Sequence, residues 1–262
     1  MADMTPSDNV RPVSFVNRRR VLLAVGGMAL TSVPARSLGL AGPDDPARAQ
    51  TLTRHRDAPH HRRHSGAVEE PLFYVNDGPK TIALTIDDGP NPIYTPQVLR
   101  LLHKYHVTAT FSMIGINVAA YPSLAREVAA AGHRITNHTW NHEDLVRMPA
   151  RRVHGELERA SHAIHQATGL RPALFRAPYG AWSRTVLREC EQMGMTPVDW
   201  SVDPRDWAMP GVRSIVRNIM RNTRPGSIIL EHDGGGNRSQ TVAALRIVLP
   251  RLLHEGYQFA PL

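Results

Sequence analysis

From Lys80 onward, short apolar segments rich in strand-forming residues alternate with longer segments of helical periodicity, and this alternation restricts the fold most. The predicted strands are residues 81–86, 109–113, 133–136, 173–176, 196–202, 227–231 and 257–262. The predicted helices are residues 95–105, 122–131, 149–168, 183–193, 213–222 and 239–255. Seven strands alternating with six helices indicate an α/β fold with a parallel sheet, either open or closed into a barrel.

Polar and titratable residues stand at the ends of five predicted strands, where parallel α/β folds place their functional sites. The segments are TIDDGP (85–90), NHTWNH (137–142), RAPYG (176–180), DPRDW (203–207) and LEHDGGG (230–236). Each one alone has a simpler explanation, such as a turn, a loop or two histidines on one helix face. Their recurrence at the same end of five strands favours a shared site.

Two of these segments contain the residues of a catalytic metal site. Two imidazoles and one carboxylate, with a fourth position open to water, form a ligand set of catalytic zinc. His138, His142 and one of the adjacent aspartates Asp87 and Asp88 could supply this set. Such a cation lowers the pKa of its water to about 7. The second aspartate would then be free to accept the proton of that water.

Two further residues extend this interpretation. His232 could protonate a leaving group from across the site, and Arg176 is the obvious partner for orienting a carboxylate. Two histidines and a carboxylate also bind iron in non-haem oxygenases. Such a site needs neither a second aspartate nor an acid, so the hydrolytic interpretation explains more of the residues.

The five segments, in this order and spacing, resemble the motifs of the polysaccharide deacetylase family, also called the NodB-homology or carbohydrate esterase family 4 domain. The resemblance covers about residues 72–262. It implies a distorted (β/α) barrel with about seven parallel strands and a hydrolase that cleaves non-peptide carbon–nitrogen bonds. The implied substrate is an N-acetylglucosamine polysaccharide, either chitin oligomers or peptidoglycan. O-deacetylation of acetylated xylan and a non-catalytic sugar-binding module are the alternatives.

The resemblance also implies a base and a metal centre. Asp87 would be the catalytic base, oriented by Arg176. Asp88, His138 and His142 would bind a divalent metal, with zinc as the default and cobalt or nickel as possible replacements.

The remaining implied roles concern the acid and the substrate. His232 would be the general acid, tethered by Asp206. The backbone N–H of Tyr179 would help to hold the oxyanion, and Trp207 and Leu230 would line the pocket for the acetyl methyl group.

Three positions depart from the family pattern without removing a catalytic group. Ile86 stands where phenylalanine is commoner, and Glu143 stands where proline is usual, so the loop after His142 is expected to differ. Glu231 stands where an apolar residue is frequent, and its charge could alter substrate choice or interact with His232.

The head of the chain resembles an export signal. In residues 1–49, three arginines (18–20) precede an apolar run of about 13 residues, and Ala47 and Ala49 form an A-x-A cleavage signal. A run this short does not comfortably span a bilayer of roughly 30 Å. We therefore predict twin-arginine export to the cell envelope or beyond, with no stable membrane span after cleavage. Residues 50–70 form a basic, histidine-rich linker, and residues 71–262 form the catalytic domain.

Charge and cysteine content exclude other classes. The net charge is +8, but residues 1–66 hold 10 Lys/Arg against 5 Asp/Glu, which leaves 21 against 18 in the remainder. The folded part therefore lacks the basic excess of a nucleic-acid-binding domain. Cys190 is the one cysteine, so neither an internal disulfide nor a cysteine zinc site can form. We expect a monomer.

Overall fold

The structure is a computed structural model that describes residues 70–262. The predicted export signal (1–49) and all of the predicted linker except Glu70 lie outside the described residues.

Within residues 70–262, seven parallel strands form one sheet. They are β1 (Thr81–Asp87), β2 (Thr110–Met113), β3 (Arg134–Asn137), β4 (Leu174–Phe175), β5 (Thr196–Pro197), β6 (Ile228–His232) and β7 (Gln258–Phe259). Their order is β5-β4-β3-β2-β1-β6, with β7 paired to the beginning of β1. A backbone bridge between Val202 and Ile229 joins the segment after β5 to β6 at the other edge. The sheet therefore curves into an incompletely closed barrel, which confirms the predicted distorted (β/α) barrel.

Helices cover the outside of this sheet. They are α1 (Thr95–Tyr105), α2 (Gly115–Ala120), α3 (Pro122–Ala130), α4 (Ala150–Thr168), α5 (Arg184–Gln192), α6 (Val212–Asn222) and α7 (Ser239–His254). Two single turns of 3-10 helix, Pro178–Gly180 and Asp206–Ala208, lie in the loops of the predicted site.

The central strands form because their sequences suit a sheet that is covered on both faces. Every residue of β1 and β6 is buried, and a continuous apolar run is typical of such parallel strands. The helices present one apolar side: on α6 the buried residues are Ile215, Val216 and Ile219. Asp87 and His232 are the last residues of β1 and β6, and they are register partners.

Several predicted boundaries were wrong. The segment predicted as one strand (196–202) pairs with β4 only at Thr196–Pro197 and then crosses to β6 at Val202. It lies where the barrel closes, so it cannot remain in one ladder. The segments 173–176 and 257–262 are also strands of only two residues. Helix α2 was missed because its six residues are too few to show helical periodicity.

No helix among residues 70–262 combines the length and the apolar character needed to cross a membrane.

Candidate active site

A cavity of about 500 Å³ opens at the carboxyl ends of the strands. Most of the residues predicted for the site line it, namely Asp87, Asp88, His138, His142, Tyr179, Trp207, Leu230 and His232. Arg176 and Asp206 lie behind its wall, where they hold Asp87 and His232 respectively. Sequence reasoning missed Trp200 and Arg238, which also line the cavity and lie outside the five segments singled out in the sequence.

Asp88 and the two histidines converge on one point. Oδ1 of Asp88 lies 3.5 Å from Nε2 of His138 and 3.2 Å from Nε2 of His142. The Nδ1 atoms point elsewhere: that of His138 lies 2.8 Å from the carbonyl oxygen of Arg176, and that of His142 lies 3.2 Å from the Tyr179 hydroxyl. Since a carbonyl only accepts, His138 carries its hydrogen on Nδ1, and the same tautomer of His142 donates to Tyr179.

This arrangement fits a divalent cation. With both rings protonated on Nδ1, lone pairs of two Nε2 atoms face a carboxylate oxygen, Asp88 Oδ1, that is buried and receives no hydrogen bond. Burial alone raises the pKa of Asp88, but positive charge and hydrogen bonding from His138 and His142, whose Nε2 protons a bound cation would replace, outweigh it and hold that pKa well below its usual value. The carboxylate is therefore ionised and available as a ligand.

Asp87 is fixed beside this centre by Arg176. The Arg176 side chain is fully buried, and its Nη1 donates to Oδ1 of Asp87 at 2.8 Å and to the Thr85 hydroxyl at 2.7 Å. Its Nη2 donates to the carbonyl oxygen of Asp199 at 2.7 Å. The second carboxylate oxygen of Asp87 lies 3.9 Å from Nε2 of His138, so it faces the candidate metal centre.

His232 lines the same cavity at the end of β6, next to the strand that ends in Asp87, and is held by Asp206. Its Nδ1 lies 2.7 Å from Oδ1 of Asp206, and its backbone N–H donates to Oδ2 at 2.9 Å. Burial by itself lowers the pKa of His232, but the hydrogen bond and charge of Asp206, with smaller contributions from Asp88 and Asp87, raise it to about 9. The imidazole is thus protonated at neutral pH and can give up a proton.

Strained backbone is concentrated around the site. Asp88, Thr139, His142 and Tyr179 all have left-handed φ angles, between 62° and 72°. Such a conformation costs a non-glycine residue roughly 1–3 kcal/mol and persists only where its surroundings enforce it. The side chains of both loop ligands, Asp88 and His142, are therefore aimed by conformations that the fold has to maintain.

Glu156 of α4 maintains one of these loops and was missed by sequence reasoning. Its Oε2 accepts hydrogen bonds from the backbone N–H groups of Trp140, at 3.1 Å, and Asn141, at 3.2 Å. The loop from His138 to His142 is thereby fastened to α4. The sequence does carry a signal, since Glu156 lies on the buried side of α4 beside Val153 and Leu157.

The three departures from the family pattern lie outside the cavity. Ile86 is buried in β1. Glu143 accepts a hydrogen bond from Asn141 and forms an ion pair of 3.1 Å with Arg152. Glu231 lies on the opposite face of β6 from Leu230 and His232, because successive side chains of a strand alternate.

The cavity thus holds a carboxylate beside a candidate metal centre and, next to it, a protonated imidazole. A hydrolase can use the carboxylate as its base and the imidazole as its acid. Comparison with known proteins identifies the class further. A family model described as polysaccharide deacetylase matches residues 74–198. A chitooligosaccharide deacetylase from Bradyrhizobium sp. (strain ANU 289) is 43% identical over 210 aligned positions, and the alignment covers 73% of this chain and 96% of that protein.

Two more matches agree. A peptidoglycan-N-acetylglucosamine deacetylase from Bacillus cereus is 43% identical over 196 residues, covering 72% of this chain and 92% of that protein. The crystal structure of the Bc1960 peptidoglycan N-acetylglucosamine deacetylase matches with a TM-score of 0.71 and 31% identity, over 73% of this chain and 90% of that chain. The chain belongs to the polysaccharide deacetylase family, and its membership separates it from the iron oxygenases considered above.

Proposed function

We propose that the protein removes acetyl groups from N-acetylglucosamine residues of a polysaccharide, either chitin oligomers or peptidoglycan. The observation that carries the proposal is the cavity in which an Arg176-bound Asp87 faces the Asp88–His138–His142 centre. The similarity to deacetylases of both substrate classes supports the choice of N-acetylglucosamine.

Asp87 is the proposed base and His232 the proposed acid. Asp87 accepts a proton from the water whose oxygen bonds to the acetyl carbonyl carbon. His232 donates its proton to the nitrogen as the carbon–nitrogen bond breaks, which releases acetate and a free amine. The ion pair of Asp87 with Arg176 supports this division because it orients the base, while Asp206 keeps His232 protonated.

Asp88, His138 and His142 are the proposed metal ligands. A divalent cation held by these residues would act as a Lewis acid and would lower the pKa of water to about 7. Zinc is the proposed metal, because a carboxylate and two imidazoles suit it, and cobalt or nickel could replace it in the same ligand set.

Tyr179, Trp207 and Leu230 are the proposed substrate contacts. Tyr179 and Trp207 are exposed at the cavity, whereas Leu230 is buried in its wall. We assign the acetyl methyl group to the apolar surface of Trp207 and Leu230, and the developing oxyanion to the backbone N–H of Tyr179.

Acetate release by the full chain tests this function. Zinc-loaded protein should release acetate from chitin oligomers or peptidoglycan, and a chelator should abolish the signal. The Asp87→Asn variant should lose about 10²–10⁴-fold in kcat while still binding zinc. Release from acetylated xylan alone would assign the chain to O-deacetylation. No release from any of the three by the zinc-bound protein would favour a sugar-binding module.

We also propose that the chain is exported by the twin-arginine route, on the basis of residues 18–33 and the A-x-A signal. Cell fractionation tests the route. Replacing Arg19 and Arg20 by lysine should retain the protein in the cytoplasm, whereas an unchanged distribution would contradict the proposal.

A further inference from the structure

Glu231 is a buried carboxyl group that the proposed mechanism does not use. It lies within β6 between Leu230 and His232, and its residue is completely buried. Its side chain points away from the cavity, toward the layer of helices, where the strand pattern calls for an apolar residue. A charge at this position, removed from water, would need donors or a cation to compensate it.

Neither requirement is met. Among residues 70–262, no donor pairs with either carboxyl oxygen of Glu231. Arg238, at the beginning of α7, is the cation whose charge reaches Glu231, but the two form no ion pair. The Arg238 guanidinium instead donates to carbonyl oxygens of Gly234, Trp207 and Gly235.

The neighbouring polar group is another carboxyl group, that of Asp206, whose Oδ2 accepts a hydrogen bond of 2.9 Å from the backbone N–H of His232, the residue after Glu231; hydrogen bonding between the two carboxyl groups raises the pKa of Glu231 and lowers that of Asp206. Two carboxyl groups that hydrogen-bond to each other share a proton, and the other hydrogen bonds that each receives decide which one carries it. Asp206 accepts three: from the backbone N–H and Nδ1 of His232, at 2.9 and 2.7 Å, and from the Thr241 hydroxyl at 2.6 Å. Glu231 accepts none, so Asp206 is the ionised partner.

We propose that Glu231 carries a proton and donates a hydrogen bond to Asp206, so that it acts as a positioning residue for the acid His232. The proposal rests on the proposed function for the role of His232 but not for the protonation of Glu231. The direction of the pKa shift of Glu231 agrees with a protonated carboxyl group. Burial raises the pKa of Glu231 well above its usual value, the nearby carboxylates Asp206 and Asp203 raise it further, and Arg238 lowers it only in part.

The consequence is a chain of three groups. Glu231 donates to Asp206, and Asp206 accepts from His232. A neutral donor on Asp206 withdraws electron density from that carboxylate, which therefore stabilises the His232 imidazolium less than a carboxylate without the donor would. Glu231 thus makes His232 a stronger acid. Its hydrogen bond also fixes the orientation of the Asp206 carboxylate that accepts from His232.

Infrared spectroscopy of the full chain tests the protonation state without requiring turnover. Above pH 7, the wild type should show a carbonyl band of a buried carboxylic acid that is absent in Glu231→Gln. Burial raises the pKa of Asp233 to about 7, so any acid band of Asp233 should fade as the pH rises through 7 and should be unchanged by Glu231→Gln, whereas the band of Glu231 should persist. The matched control is Glu189→Gln, which removes a buried carboxylate paired with His154 and should leave the band in place. A spectrum unchanged by Glu231→Gln would overturn the proposal.

The pH profile of kcat/KM tests the positioning role. Glu231→Gln retains a donor to Asp206 and should keep the alkaline limb of the wild type. Glu231→Leu fills the position without a donor, so its alkaline limb should move to higher pH and its kcat should fall about tenfold, with KM unchanged. Identical limbs in the wild type and Glu231→Leu would overturn the role. An inactive wild type that still loses the infrared band in Glu231→Gln would refute the proposed function and leave the protonation of Glu231 established.

Discussion

At the scale of single residues, the protonation of His232 depends on one carboxylate, that of Asp206. The proposed acid must be protonated, so activity should fall as the pH rises through the pKa of His232, which is about 9 without a metal and which the positive charge of bound zinc would lower. In Asp206→Asn the opposing effect of burial dominates, and the alkaline limb should move down toward or below the ordinary value of about 6.5. The pH dependence of kcat/KM, measured for the wild type and for Asp206→Asn with saturating zinc, gives this shift, because both proteins then carry the metal. A limb at the same pH in both proteins would mean that another group sets it.

The same pKa shift has a consequence for stability. The pKa of His232 is raised on folding, so its proton stabilises the folded state fully below the unfolded value and progressively less as the pH rises through about 9. The melting temperature of the wild type should therefore decline over this interval more steeply than that of Asp206→Asn.

Tyr179 tests the orientation of a metal ligand separately from the oxyanion contact. Tyr179→Phe removes the hydroxyl that meets Nδ1 of His142 but keeps the backbone N–H. Residues that hydrogen-bond a metal-binding histidine typically contribute about 10–100-fold to metal affinity. Because this hydroxyl is exposed, we expect zinc affinity to fall by about tenfold, at the lower end of that range. At saturating zinc, kcat should change little. Zinc competition titration measures the affinity. Tyr121→Phe is the control on an exposed tyrosine outside the cavity, and an equal loss in both variants would contradict the proposed contact.

At the scale of elements, two helical glycines should respond in opposite directions to alanine. A Cβ on Gly115, at the start of α2, would lie 2.7 Å from the Trp140 ring and 2.8 Å from the Ala160 backbone of α4. A Cβ on Gly155, inside α4, would meet nothing within 4 Å. Gly115→Ala should destabilise the protein by about 1–3 kcal/mol, because the two helices would have to separate. Gly155→Ala should stabilise it by about 0.5–1 kcal/mol.

Denaturant unfolding measures both changes. A stabilised Gly115→Ala would show that α2 and α4 are less closely packed than their contact indicates.

The elements also show what the sequence could predict. The long strands β1 and β6 were found because both faces of each are buried, which produces a largely apolar run. The two-residue strands β4, β5 and β7 contain less than one full period of alternation, so their bounds depend on neighbouring strands. The proposed catalytic groups lie in short local motifs and could be named. The place of Glu156 on the apolar side of α4 marks it as unusual, but no local pattern reveals that it binds a loop 16 residues earlier.

At the scale of the whole molecule, metal binding should be linked to folding stability. A ligand that binds only the folded state at about 100 times its Kd stabilises it by about 2.7 kcal/mol, which corresponds to a Tm increase of about 5–10 °C for a domain of this size. Thermal unfolding with zinc and with a chelator should show this difference. Asp88→Asn, which lacks one ligand, should lose most of it, and an equal zinc effect in that variant would place the metal elsewhere.

Asp87 and His232 end neighbouring strands and are direct register partners. The spacing between the proposed base and the proposed acid is therefore set by the backbone ladder of the sheet and not by any loop. The side chains that frame the cavity opening, such as Tyr179 and Trp207, belong instead to loops beyond the strand ends. Substitutions in these loops can therefore change which sugar binds while the spacing of Asp87 and His232 stays the same. Directed evolution toward a different glycan should accumulate its substitutions in the loops and not in β1 or β6.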